Sequence, residues 1–193
     1  MYPATDLLAD AVQRYDVDND LGALLDRLRL IARNADDALL AHAAERYQER
    51  LEITMPLLEE VVRRHPADAR ALVALANAYW LTGRGPDVVG HLAERAKTAD
   101  PSNRGAWHLW ALAESDVRAR VGRWRGVTQR FPQDQLARAA LADNAASLAG
   151  AEHDPIALDL AIATYEGLLA EAANPMQRRA LEETLKVLRG WKL

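Results

Sequence analysis

The sequence predicts an all-α fold, and three observations support this. Apolar residues recur every three or four positions along nearly all of the 193 residues, as on the buried face of an amphipathic helix. No segment rich in β-branched or aromatic residues alternates with the period of two that a strand requires. Proline followed two residues later by Asp or Asn recurs at Pro66, Pro101 and Pro132, which are 35 and 31 residues apart. These intervals are close to the roughly 34-residue period of a helical-hairpin repeat.

Composition limits the classes of function. Half of the residues are hydrophobic but only 6% are aromatic, which favours an interior of closely packed helices rich in Ala and Leu. A chain of this length buries about 70% of its unfolded surface, so it needs neither metal nor disulfide to fold. The absence of cysteine excludes disulfides, thiolate metal sites and cysteine nucleophiles. We predict no cofactor and no metal.

Location and charge point to a cytoplasmic protein. The segment Met1–Asp6 lacks the basic stretch and apolar core of a secretory signal, and no apolar run approaches the roughly 20 residues that span a bilayer. We therefore expect a soluble, intracellular protein without membrane contact. A net charge of −4 argues against a general nucleic-acid binder, although a local basic patch could still bind a polyanion.

The N-terminal third contains an extension and one ambiguous helical stretch. We predict helices near 4–15 and 20–33 and assign residues 1–34 to an N-terminal helical extension. From residue 36 to residue 65 the apolar stripe is unbroken, which fits one long helix or two collinear ones. Pro56 lacks a backbone donor, so we favour a kink there, or a break at which Thr54 caps a new helix.

The remaining residues, 35–193, are predicted to form one continuous unit, because no linker is long or polar enough to separate domains. Prolines and glycines mark the helix ends, including a predicted loop from Gly150 to Pro155. Asp154 and Asn174 each precede a proline, which suits a cap followed by the first helical position. The predicted helices are 68–82, 87–99, 103–115, 117–130, 134–149, 156–172 and 176–190.

The segment from Ala69 to Asp134 resembles tetratricopeptide (TPR) repeats, in which bulky and small residues take fixed positions on two packed helices, and a weaker resemblance extends over roughly residues 36–190. The best copy carries Leu72, Leu75, Ala76, Tyr79, Val89, Ala93 and Ala96 at the pattern positions. Two weaker copies carry Trp107, Trp110, Ala111, Arg120, Trp124 and Val127, and then Leu141, Ala142, Ala161, Tyr165 and Leu168. The resemblance implies a right-handed solenoid of about three to four degenerate repeats with helix 176–190 as a cap.

The same resemblance implies a partner-binding groove lined by the first helix of each repeat. The positions carried over are Arg70, Val73, Asn77, Trp80, Leu81, Gly105, His108, Leu112, Ser115, Leu136, Ala139, Asp143 and Ala146. Asn77 could clamp a peptide backbone, with a solvated or capping-type Asn as the alternative. Trp80 follows a core position and could be an exposed anchor, whereas Trp107 and Trp110 are expected to pack in the core. Some members of the family bind acidic C-terminal tails through several basic groove residues. Arg70 is the only Lys or Arg among these positions, so we do not predict such a clamp.

A second candidate site is the basic helix 117–130. Its arginines are Arg118, Arg120, Arg123, Arg125 and Arg130, with Trp124 beside them. Such a face could bind phosphates or an acidic protein surface. The alternative is a solvated face paired with nearby acidic residues.

Other patterns carry no specific signal. The run Asp16–Gly22 differs from a calcium loop because Leu21 and Arg27 stand where Gly and Glu are required, so we predict a turn that ends in an Asp cap. The five histidines show no metal-ligand spacing, and no catalytic motif is present.

We therefore predict a non-enzymatic adaptor or scaffold that binds a segment of another protein. The alternatives are polyanion binding through helix 117–130 and, less favoured, a small-molecule pocket or an enzyme. We also keep, as an alternative, a homodimer that buries the exposed terminal face of the helical array.

Overall fold

The computed structural model describes residues 4–192, which form eleven helices and no strand. The helices are α1 (Ala4–Asp18), α2 (Leu21–Asn34), α3 (Asp37–Arg46), α4 (Leu51–Arg64), α5 (Ala69–Leu81), α6 (Pro86–Ala99), α7 (Arg104–Leu112), α8 (Val117–Arg130), α9 (Gln135–Glu152), α10 (Pro155–Glu171) and α11 (Pro175–Arg189). The predicted all-α class is confirmed. Residues 1–3 and residue 193 lie outside the described residues. The first three are half of the segment Met1–Asp6, in which we expected no secretory signal.

No helix within residues 4–192 is long and apolar enough to cross a membrane. The predicted cytoplasmic location stays a prediction.

The chain packs into two compact units, Met1–Leu109 and Trp110–Leu193. We call them the first and the second unit. The boundary falls within α7. Our division into an extension and one continuous repeat domain stays a prediction.

In the first unit, helices pack mainly against near neighbours in the chain. α1 contacts α2, α4 contacts α2, α3 and α5, and α5 pairs with α6. Leucine and isoleucine side chains fill the core between α1 and α4, and Leu28 and Ile53 are fully buried there. The α5–α6 hairpin corresponds to the repeat copy that matches best in the sequence.

In the second unit, α8 packs on α9, α9 on α10 and α10 on α11. The contact between α9 and α10 is built largely from alanines that are completely buried, among them Ala142, Ala145 and Ala161. Small side chains let the two helix backbones approach closely, which is the physical content of the repeat pattern. The packing of consecutive helices against one another within each unit agrees with the predicted helical-hairpin architecture.

The recurring Pro-x-Asp/Asn pattern is a helix start signal. The side chains of Asp68, Asn103 and Asp134 accept hydrogen bonds from backbone N–H groups in the first turns of α5, α7 and α9, respectively. Each bond satisfies a donor that the helix geometry leaves open. Asp154 and Asn174 cap α10 and α11 with a proline in the first position, as predicted.

The break in the segment 36–65 lies at residues 47–50, so its predicted position at Pro56 was wrong. Arg50 fixes the turn, because its guanidinium pairs with Asp16 of α1 at 2.8 Å. Thr54 does not cap a helix; its hydroxyl donates to the carbonyl of Tyr47 at 2.6 Å. Pro56 lies inside α4, where it removes one helical hydrogen bond without ending the helix.

Three helix ends also differ from prediction. α1 continues to Asp18, α7 ends at Leu112, and α9 continues through Gly150 to Glu152. A Cβ on Gly150 would lie 3.3 Å from the ring of Trp191, so glycine admits this aromatic side chain rather than forming a loop. α9 ends instead at His153, which adopts a left-handed conformation with φ of 52°. Asp20 caps α2, as predicted for the end of the acidic turn.

Candidate functional site

Helix α5 of the first unit has one buried and one exposed face. Ala71, Leu72, Leu75 and Ala76 are buried. The opposite face carries Ala74 and Asn77, both exposed, and then Trp80 and Leu81, which are 38% and 63% exposed. We define the α5 stripe as Arg70, Val73, Ala74, Asn77, Trp80 and Leu81. The stripe is a partly apolar surface on a helix whose other face is anchored in the core.

The α5 stripe borders the start of α7. A Cβ on Gly105 would lie 3.2 Å from Cγ1 of Val73, so a larger residue there would press against the stripe. The side-chain amide of Asn77 makes no hydrogen bond within residues 4–192. It can therefore offer one acceptor and two donor hydrogens to a bound molecule.

Tyr79 holds the C-terminal end of α5 in place. Its hydroxyl donates to Oε1 of Glu59 on α4 at 2.8 Å, and the guanidinium of Arg84 lies 5.3 Å from its ring centre. Burial, and then the hydrogen bond to Glu59, raises the pKa of Tyr79 to about 12. The tyrosine thus stays neutral and donates at all physiological pH values, which fixes the turn next to Trp80.

The other predicted groove residues fall into both units. His108 and Gly105 are half-buried in the first unit, and Leu112 is exposed in the second. Asp143 accepts a hydrogen bond from the hydroxyl of Tyr165, and burial together with this bond raises the pKa of that tyrosine. Ser115 and Leu136 are exposed, and Ala139 and Ala146 are half-buried. The predicted groove stays a prediction.

Three arginines of α8 contact acceptors within the second unit. Arg118 pairs with Asp154 at 2.9 Å and also with Glu152. Arg120 donates to the side chain of Asn144 at 2.6 Å, and Arg123 pairs with Glu114 at the same distance. These contacts use hydrogen-bond donors that a bound phosphate would need.

The other two arginines of α8 are more available. Arg125 is exposed and has no acceptor within the described part of the chain, and Arg130 lies 6.0 Å from the ring centre of Phe131. The polyanion site stays a prediction.

The tryptophans of α7 are half-buried and lie beneath cations. The ammonium of Lys97 is 4.9 Å from the ring centre of Trp107, whose Nε1 donates to the carbonyl of Pro101. The guanidinium of Arg123 is 4.7 Å from the ring centre of Trp110. Trp124 on α8 is buried. Trp80 is thus the tryptophan of α5 to α8 with the most exposed side chain.

Two surface cavities were missed by sequence reasoning. One, of about 710 Å³, lies among α4, α5 and α6 and is lined by Val62, Leu75, Val88 and charged neighbours. The other, of about 260 Å³, lies among α8, α9 and α10. Neither has a sequence signal, because each depends on side chains from three helices. No cluster of His, Asp and Glu within residues 4–192 could hold a metal ion.

Comparison with solved structures supports the TPR-like fold. A thermophilic TPR protein of Thermus thermophilus superposes with a TM-score of 0.59 at 16% identity, covering 96% of this chain and all of that one. The MamA protein superposes with a TM-score of 0.55 at 12% identity, covering 78% of this chain and 88% of that one. No protein-family model and no curated protein matches the sequence. The chain therefore has the helical-hairpin fold of TPR proteins.

Proposed function

We propose that this protein is a non-enzymatic interaction module that binds an extended segment of another protein on the α5 stripe. The observation that carries the proposal is the combination of an unbonded Asn77 amide with the exposed side chains of Trp80 and Leu81 on one helix face. The TPR-like fold supports the proposal, because helical-hairpin arrays present extended surfaces that other chains occupy.

The binding would divide between polar and apolar contacts. The amide of Asn77 can donate to and accept from the backbone of an extended peptide, which fixes the position of the peptide without reading its side chains. Trp80 and Leu81 supply an apolar anchor for one side chain of the partner. α5 is held by its Asp68 cap and by packing against α4 and α6, so the helix loses little conformational freedom when a partner binds.

Substitution of Trp80 or Asn77 by Ala is expected to weaken partner binding by about 10-fold while leaving helicity unchanged. The partner is first captured from lysate of the source organism, with and without nuclease treatment. Its dissociation constant is then measured by calorimetry with each purified variant. Both side chains are exposed and contribute little to the core, so the far-ultraviolet circular dichroism should not change.

The matched control is Trp191→Ala, because Trp191 is exposed to nearly the same extent as Trp80 but lies in the second unit. This control should retain full binding. Equal weakening by Trp191→Ala, or loss of fold with Trp80→Ala, would show that the α5 stripe is the wrong site. A captured protein that disappears with nuclease and with Arg125→Glu would favour polyanion binding instead.

A further inference from the structure

The smaller of the two cavities lies in the second unit and is a cleft between α8 and α10 with α9 at its base. Its apolar lining is formed by Val121, Leu148, Ala157 and Leu160, with the backbone of Gly122 in the wall. Ile156 stands at its edge and is 75% exposed. A volume of about 260 Å³ accommodates one aliphatic side chain of a bound segment and part of its backbone.

The cleft wall contains a glycine that the chain itself does not require. Gly122 lies in the interior of α8, where glycine is the least favourable residue after proline. A Cβ added there would meet no atom within 4 Å, and the same holds at Gly126 one turn later. Gly122 leaves the cleft open toward solvent, whereas Gly126 is not part of the lining.

Charged side chains of both signs border the cleft. α8 contains five arginines and no acidic residue. Arg118 at one edge is already paired with Glu152 and Asp154, whereas Arg125 is exposed without an acceptor within residues 4–192. An apolar cleft with one unneutralised guanidinium fits an apolar side chain that is flanked by a carboxylate.

The first unit exposes such a side chain. Residues 4–20 contain five aspartates and a single arginine, so this end of the chain is strongly acidic. Val17 in the last turn of α1 is 80% exposed and stands between Asp16 and Asp18. The pair between Asp16 and Arg50 holds this turn, and the carboxylate of Asp18 bonds only to the backbone N–H of Asp20 among the described residues.

We propose that two copies of this chain associate head to tail, with Val17 of one copy in the α8–α10 cleft of the next and Asp18 beside Arg125. The two surfaces differ, so the contact is heterologous, and every complex keeps one unoccupied Val17 surface and one unoccupied cleft. The buried area is small, so the association is weak and depends on protein concentration and salt. The proposal uses no residue of the α5 stripe, so its failure would not affect the proposed function.

Sedimentation velocity of the full chain at low salt, up to about 1 mM protein, tests the association. The sedimentation coefficient of the wild type is expected to rise with concentration. Gly122→Leu fills the cleft and Val17→Asp removes the apolar side chain, so each should weaken association at least ~10-fold. Gly126→Leu is the matched control: it makes the same change one turn away and should alter the dissociation constant by less than ~2-fold.

Mixing Val17→Asp with Gly122→Leu tests the head-to-tail geometry. Val17→Asp leaves the cleft unchanged and Gly122→Leu leaves Val17 unchanged. Each variant therefore has one of the two surfaces, and the mixture should form a 1:1 complex and nothing larger. Asp18→Arg or Arg125→Asp alone should weaken association, and the double variant should recover it. A wild type that stays monomeric, a mixture without a complex, or equal loss with Gly122→Leu and Gly126→Leu would overturn the proposal.

Discussion

Replacement of Ala76 by Leu is expected to destabilise the first unit by about 3 kcal/mol. Ala76 is 0% exposed and lies on the buried face of α5, which packs between α4 and α6. No space is left there for three additional carbon atoms, so the neighbouring helices must move apart or the leucine must adopt a strained rotamer. Urea unfolding followed by circular dichroism should show a lower transition midpoint.

Ala74→Leu provides the control for this prediction. It makes the same substitution on the same helix, but Ala74 is exposed and no core contact is lost. We expect its free energy of unfolding to change by less than about 0.5 kcal/mol. The close packing inferred for α5 would be wrong if Ala74→Leu and Ala76→Leu had the same midpoint.

Features that depend on neighbouring residues were predictable from sequence. The caps at Asp68, Asn103 and Asp134 act within three residues of themselves, so the pattern alone located the starts of three helices. The buried alanines of the repeat pattern were equally readable, because small residues that recur at the helical period are typical of closely packed helix pairs. The fold class rests on these signals.

Features that depend on distant residues were not predictable. Arg50, at the break before α4, pairs with Asp16 on another helix, and Gly150 lies inside α9 with the ring of Trp191 against it. Neither contact leaves a mark in the local sequence. The sequence pattern gave more weight to Pro56, but Pro56 lies inside α4 and removes one hydrogen bond without ending the helix.

The candidate site was only partly predictable for the same reason. The face of α5 that carries Asn77 and Trp80 follows from helical periodicity. The pairing of the α8 arginines does not follow from periodicity, because their acceptors lie elsewhere in the chain. Arg118 contacts the turn before α10, Arg120 contacts α9, and Arg123 contacts the segment before α8. A helix read alone shows five cations, whereas the folded unit neutralises or engages most of them.

The second large effect concerns a buried carboxylate, Glu60 of α4, which is 7% exposed. It accepts hydrogen bonds from Arg63 at 2.6 Å and from Arg64 at 2.7 Å. Arg64 in turn donates to the backbone carbonyls of Ala32 and Ala35 at the end of α2. One carboxylate thus orients the guanidinium that joins α4 to the end of α2.

These contacts make the first unit sensitive to acid. The hydrogen bonds from Arg63, followed by those from Arg64, lower the pKa of Glu60 from 4.5 to about 2. The pKa of Asp37 is also lowered, first by His65 and then by Arg64. Both carboxylates bind protons more weakly in the folded state, so their contribution is complete above the unfolded pKa and is lost as the pH falls.

Glu60→Gln is expected to reduce the free energy of unfolding at pH 7 by about 2 kcal/mol. The full shift corresponds to a somewhat larger value, but Arg63 is largely solvent-exposed and water screens its share. The variant should also lose less stability than the wild type between about pH 5 and pH 2, because it no longer carries the carboxylate that must be protonated.

Urea unfolding at a series of pH values measures both effects, with Glu45→Gln as the control. Glu45 lies on α3 in the same unit, is exposed and makes no side-chain hydrogen bond or ion pair within the described residues. That variant should follow the wild-type pH profile. A Glu60→Gln profile parallel to the wild type would show that the acid sensitivity arises from other carboxylates, whereas a flatter profile would assign it to the contact by which Glu60 holds Arg64 against the end of α2.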